Sequence, residues 1–266
     1  MQGPNNLVKK KLPGKSGIIL KADWEIDILR KANSIVAKVL QMLKGQLSEG
    51  VTTYELDKLA ENEIKKCGGS PAFKGYKGYP ASLCISINEE VVHGIPKKDK
   101  VLKSGDLVSM DIGVVYDGYV GDAALSATVG APSKEAADLI AVTEGALIKG
   151  ITQARPKNRL GDISHAIQRH VENAGYSVVK QFVGHGIGKS LHEPPEIPNF
   201  GRKGRGPVLK PGMVLAIEPM VNIGSGDVKI LDDGWTAVTA DGSLSAHFEH
   251  SVAITKKGPV ILSVPD

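Results

Sequence analysis

The chain has 266 residues, 41% of them hydrophobic and 23% charged, with a formal net charge of +4, which is enough to enclose a core in one large domain or two closely packed halves. No apolar run approaches the eighteen residues of a membrane span, the basic N-terminus lacks an apolar h-region, and no Lys/Arg block with interleaved aromatics marks a dedicated nucleic-acid face. Cys67 and Cys84 lack C-x-x-C spacing, which argues against a disulfide framework or a thiolate zinc site and leaves a soluble cytoplasmic protein as the expectation.

Residues 1–20, with Pro4, Lys9 to Lys11 and Pro13-Gly14, read as a flexible basic arm ahead of a folded domain over 21–266. From Ala22, apolar residues recur at Ile26, Ile28/Leu29, Ala32, Ile35/Val36, Val39/Leu40 and Leu43, a helical stripe that ends near Gly45. Thr52-Thr53-Tyr54-Glu55 is a capping-box opening for a second helix closing at Gly68-Gly69. A Gly/Pro/aromatic loop, SPAFKGYKGYPA, leads into a strand from Leu83 to Ile87 and the segment NEEVVHGIP. Further on, Ser133 caps a helix to about Ala154, and Asp162 caps another ending at Asn173-Ala174-Gly175. VVKQFVGHGIGKSLHEPPEIPNF mixes strand with loop, and MVLAIEPMV, GWTAVT and SAHFEHSVAIT are strand-like.

Between the two helix pairs, LVSMDIGVVYDGYVGDAALSATV carries two β-branched runs around Asp117-Gly118, a dipeptide suited to a two-residue type I′ turn. That turn sets Tyr116 against Tyr119, Gly113 against Asp122 and Asp111 against Ala124, so Asp111 and Asp122 share one face of an apolar hairpin. Two neighbouring anions in a low-dielectric setting need a positive partner. Gly113, inside the strand, leaves room for something to approach the backbone. A shared cation is the expectation.

The chain also repeats itself. Leu102-Lys103-Ser104-Gly105, followed by an apolar run to Asp111, parallels Leu209-Lys210-Pro211-Gly212 and a run to Glu218. Each unit follows two helices' worth of sequence, the pattern of a duplicated helix-helix-strand module whose sheets meet. Glu218 is then the counterpart of Asp111, and Glu249 that of Asp122. No Lys or Arg interrupts these strands to pair with the acids. His185, flanked by glycines, adds an imidazole, and His93 and His192 also lie in Gly/Pro-rich loops beside strands, whereas His165, His170 and His247 read as ordinary polar residues. An oxygen-rich set with one imidazole suits Mn²⁺, Fe²⁺, Co²⁺ or Zn²⁺, and a pair of such ions makes water reactive and polarises a carbonyl.

VVHGIP, the Asp111/Asp122 hairpin, GHGIGKSLHE, KPGMVLAIEPM and SAHFEHS, in this order, resemble the type I methionine aminopeptidases from about Ile19 to Leu262. The resemblance implies an α+β pita-bread fold: two pseudo-symmetric halves, antiparallel sheets covered by helices, and a dinuclear metal site between them. It implies Asp111, Asp122, His185, Glu218 and Glu249 as ligands of two divalent ions, with Asp122 and Glu249 bridging. Glu218 would carry the proton, His192 would bind the carbonyl oxygen, His93 would contact the scissile nitrogen, and one ion would take the free α-amine. Phe73, Tyr76, Tyr79, Cys84 and Trp235 match the pocket for the methionine side chain. Leu191 stands where many members carry Phe, and Phe73 where Cys is frequent. The implied substrate is the N-terminal Met of nascent chains, which brings contact of the basic arm with the ribosome. Two rivals differ on sequence grounds. Xaa-Pro peptidases of this fold carry a large N-terminal domain, where about twenty residues precede the first helix here, and non-enzymatic binding relatives lose ligands that are all present.

Overall fold

The computed structural model of the chain describes residues 17–265; residues 1–16, most of the expected basic arm, lie outside this range. Four helices form where the periodicity places them: α1 (Asp23–Lys44), α2 (Thr53–Lys66), α3 (Lys134–Gln153) and α4 (Leu160–Asn173). At the start of α2, the Glu55 amide donates to the Thr52 hydroxyl at 3.2 Å and the Thr52 amide to the Glu55 carboxylate at 2.8 Å, the reciprocal bonds of a capping box. The Ser133 hydroxyl accepts from the Ala136 amide at 3.1 Å and opens α3. In α4 the expected cap is corrected. The helix opens earlier, at Leu160, so Asp162 lies inside its first turn, and the Asp162 carboxylate accepts the Arg159 amide at 2.7 Å. An acid reaching back from the first turn leaves the same sequence mark as one at the cap itself.

The hairpin runs Leu107–Tyr116 and Tyr119–Thr128, with Tyr116 against Tyr119, Gly113 against Asp122 and Asp111 against Ala124. Asp117 (φ 48°) and Gly118 (φ 75°) both take the left-handed conformation that a type I′ turn requires. The two matched Leu-Lys-x-Gly units fold alike: Gly105 and Gly212 turn at φ 91° and 92°, and the strands begin at Leu107 and Val214.

The halves do more than meet. Their strands hydrogen-bond into one nine-stranded antiparallel sheet, joined where Glu249–Thr255 pairs with Tyr119–Thr128 on one edge and Val214–Ile217 on the other. Alternation then sorts the side chains. Met110, Ile112 and Val114 pack on Val36, Leu40, Leu56 and Ile64 of α1 and α2. Leu215, Ile217, Val252 and Ile254 pack on Leu139, Leu147, Ile163 and Ile167 of α3 and α4. All four helices therefore cover one face, and the acids of the sheet point from the other.

Helix α1 lies backbone against backbone on the hairpin: a Cβ on Gly121 would sit 2.7 Å from Ala32 C and Asn33 N. Gly121→Ala is expected to cost ~1–3 kcal/mol, the usual range for overpacking a tight contact, read as a lower urea midpoint. An unchanged midpoint would mean that α1 can slide off the strand freely.

Candidate active site

Strand register brings the acids together. Asp111 and Glu249 both pair with Ala124, one from each side, so the three residues form a row whose side chains leave the sheet on one face. In the next row Ser251 and His185 both pair with Ala216. Asp122 and Glu218 stand two residues along from Ala124 and Ala216 and share that face. The alanines keep the floor low beneath six polar side chains.

The seam beside Asp122 is held by side chains. The ladder joining the hairpin to the Glu249 strand consists of Glu249 with Ala124 and His250 with Ala123. Beyond it, the Asp122 amide donates to Asn33 Oδ1 at 3.2 Å and the Ser251 hydroxyl donates to the Asp122 carbonyl at 2.8 Å, so neither backbone group of Asp122 is stranded.

The carboxylates and imidazoles converge. His185 Nε2 lies 3.5 Å from Glu218 Oε1 and 3.8 Å from Asp122 Oδ2, and His247 Nε2 lies 3.8 Å from Glu218 Oε2. Ligand atoms of Asp122, His185 and Glu249 all lie within 4.8 Å of one another. His185 Nδ1 is 3.0 Å from the Gly186 carbonyl, which can only accept, so the hydrogen sits on Nδ1 and Nε2 offers its lone pair to the acids. Asp111 Oδ1, Asp122 Oδ1, Glu249 Oε1 and His247 Nε2 are buried with no hydrogen-bond partner. Among the described residues, only histidines lie within ion-pair distance of these carboxylates. Polar atoms left unpaired in this way cost heavily, and a set of oxygens plus one imidazole is a divalent-cation donor set.

The electrostatics agree. Burial pushes Asp111 up to about 7, and it pushes Asp122, Glu218 and Glu249 well above the carboxylate range, helped by their mutual repulsion. Burial lowers His185 and His93 to about 4. It lowers His192 to about 3, with the charges of His185, Lys77 and His93 working in the same direction. The imidazoles are neutral at pH 7, the form that ligates metals and donates single hydrogen bonds.

Beside this cluster lies an apolar wall. Phe73, Tyr79, Cys84 and Leu191 are buried in one hydrophobic group, with Tyr76 and Trp235 packed against it. Trp235 meets Tyr79 edge-on at 5.1 Å and His93 at 6.3 Å. Cys84 pairs directly with Asp111 across adjacent strands, so the wall begins where the acids end. His93 holds a left-handed backbone, φ 61°, a strain that persists where the surroundings fix it. His192 lies with its ring 4.2 Å from that of His185.

Residues 27–256 match metallopeptidase family M24. A methionine aminopeptidase of Clostridium perfringens is 57% identical over 247 residues, covering 93% of this chain and 99% of its own. The chain belongs to metallopeptidase family M24, among its methionine aminopeptidases. The crystal structure of the Thermotoga maritima methionine aminopeptidase is 48% identical, with a TM-score of 0.92 over 93% of this chain and 99% of that one. The prolidase of Pyrococcus furiosus shares the fold less closely, at 25% identity and a TM-score of 0.77, and this chain covers 66% of it. The methionine aminopeptidases of the family are thus nearer relatives than this Xaa-Pro peptidase.

Three features depart from the sequence reading. What approaches Gly113 is a ring and not an ion: a Cβ there would lie 2.6 Å from Phe73 Cε1 and 3.0 Å from Ala72 Cβ. SAHFEHSVAIT is two strands, Ser245–His247 and Glu249–Thr255, interrupted at Phe248, with the first in a separate three-stranded sheet. His247, read as an ordinary polar residue, faces the acids. Its signal was its place two residues before Glu249. A further link has no counterpart in the sequence pattern: Lys21 Nζ meets Glu193 Oε2 at 2.6 Å, both side chains buried, which ties the N-terminal segment to the loop that carries His192.

Proposed function

We propose that the chain removes N-terminal methionine from peptides and nascent proteins by metal-assisted hydrolysis. The observation that carries this reading is the set of buried, unpartnered carboxylate oxygens on Asp111, Asp122 and Glu249, converging with His185 beside the apolar wall. Asp111, Asp122, His185, Glu218 and Glu249 would hold two divalent ions from the series Mn²⁺, Fe²⁺, Co²⁺ and Zn²⁺. When bound, such ions acidify water and polarise the scissile carbonyl.

The chain's own residues do the rest. Glu218 accepts the proton of the attacking water and returns it to the leaving amine. His192 donates a hydrogen bond to the carbonyl oxygen as it gains charge. His93 meets the scissile nitrogen. Phe73, Tyr76, Tyr79, Cys84 and Trp235 enclose the methionine side chain, with Phe73 filling volume beside the smaller Leu191. The rings of Phe182 at 5.3 Å and Trp235 at 6.3 Å crowd His93, which supports a preference for a small second residue. The same reading places the protein in the cytoplasm and its basic N-terminal arm against the ribosome, in keeping with a net charge of +4. No described helix is long and apolar enough to cross a membrane.

Release of Met from Met-Gly-Met-Met in the presence of Mn²⁺ or Co²⁺, with little turnover of Pro-containing dipeptides, is the expected result; the reverse preference would assign the chain an Xaa-Pro activity. His185→Ala is expected to weaken one ion by at least about 10- to 100-fold, the loss that follows when only a hydrogen-bond partner of a metal ligand is removed. Calorimetric titration with Mn²⁺ reads this directly, and two undiminished sites would remove His185 from the ligand set.

A further inference from the structure

The Tyr76 hydroxyl lies 2.9 Å from His192 Nδ1, and the two rings stack at 5.3 Å with 19° between their planes. We propose that Tyr76 is a positioning residue for His192: its hydroxyl donates to Nδ1, which holds the ring hydrogen on Nε2, the nitrogen left free for the substrate carbonyl. The inference rests on the role given to His192 above and gives Tyr76 a part that a pocket wall does not require.

The chemistry of the pair is directional. A neutral imidazole has one N–H and one lone pair, and the partner of one nitrogen decides the state of the other. A phenol whose pKa burial raises keeps its proton at neutral pH and so has a hydrogen to give. With Nδ1 as acceptor, Nε2 is the donor, which an oxyanion needs. Without the hydroxyl, the ring divides between two tautomers and one of them turns a lone pair toward the oxyanion.

The loop is built to hold that hydroxyl in place. Gly75 and Lys77, on either side of Tyr76, both take left-handed backbone, φ 86° and 50°, strained for a lysine. The Tyr76 amide donates to the Phe73 carbonyl and the Tyr79 amide to the Tyr76 carbonyl, each at 2.9 Å. Lys74 fixes the start of the loop to Glu61 of α2 at 3.0 Å. Tyr79 plays a separate part, because its hydroxyl is spent on the carbonyls of Leu83 and Gly94 at 3.0 and 2.9 Å.

Tyr76→Phe keeps the ring, the stack and the pocket and removes only the hydroxyl. Two-bond ¹H–¹⁵N spectra of ¹⁵N-histidine-labelled protein, metal-free and Zn²⁺-loaded, are expected to show His192 protonated at Nε2 in the parent chain and mixed between tautomers in the variant. His192→Ala identifies the signal. In the Mn²⁺-loaded enzyme, kcat on Met-Gly-Met-Met is expected to fall about tenfold, the scale of one lost hydrogen bond, with KM within about twofold. In the His192→Ala background the substitution should cost nothing further. An unchanged tautomer with a raised KM, or losses that multiply in the double variant, would overturn the proposal. A parent chain that releases no methionine would instead refute the proposed function, and the spectra, which need no turnover, would still decide the role of Tyr76.

Discussion

Glu218→Gln is expected to lower kcat on Met-Gly-Met-Met by about 10³-fold or more, in the range lost with a general base, while raising the melting temperature of the metal-free protein at pH 8. The two effects share a cause. Glu218 is surrounded by Asp111 and Asp122, and burial first, then their charges, holds its carboxyl well above the usual range. In the metal-free chain at pH 8 that carboxylate is costly to ionise, and a glutamine of nearly the same shape removes the cost. In turnover the same carboxylate moves a proton, which an amide cannot do. Steady-state kinetics and thermal melts on one preparation test both. Comparable turnover would take the proton-transfer role from Glu218, and a lower melting temperature would mean that its charge has a partner in the metal-free fold.

Removing divalent ions is expected to make stability fall as pH rises from about 6.5 to 8.5, and restoring Mn²⁺ to abolish the fall. Asp111, Asp122, Glu218 and Glu249 have folded-state pKa values above their unfolded ones, with Asp111 at about 7 and the others well above the ordinary carboxylate range. Such groups contribute stability that is complete below the unfolded pKa and is lost as pH rises through the folded one. The histidines oppose this lower down. His93, His185 and His250 are lowered to about 4 and His192 and His247 to about 3, so they favour the fold as pH rises toward about 6.5, the unperturbed value of the imidazole. Above that value the acids act without opposition. A drop of at least about 3 °C is expected, since one pKa unit is about 1.36 kcal/mol and a domain of this size melts about 2–4 °C lower per kcal/mol. A flat or rising melting curve for chelated protein over this window would mean that the acids are already compensated without metal.

Much of this site was legible because its parts obey local rules. Asp117-Gly118 dictates a turn, the turn dictates the register, and the register puts Asp122 diagonal to Asp111 before any fold is assumed. The repeat centred on Gly105 and Gly212 did the same for the second half, since both positions need a left-handed backbone that glycine supplies. What escaped depends on contacts distant in sequence. Phe73 fills the space over Gly113 from a loop about forty residues earlier, so a missing side chain could not reveal what replaces it. Phe248 interrupts a run whose alternation is unbroken, because the break comes from two sheets diverging and not from a turn residue. His247 had the right face and lacked only knowledge of Glu218 opposite. Lys21 and Glu193 are 172 positions apart, beyond any local pattern.

The continuous sheet has a mechanical consequence. Because the Asp122 and Glu249 strands are bonded neighbours, the halves cannot swing apart like a clam shell without breaking the ladder that holds the acids in line. Peptides must therefore come and go over a fixed floor, with any yielding confined to the rim at the turn that presents Trp235. The sheet behaves as a rigid frame, and ligands that reach past its edge meet the Trp235 turn before they meet the acids.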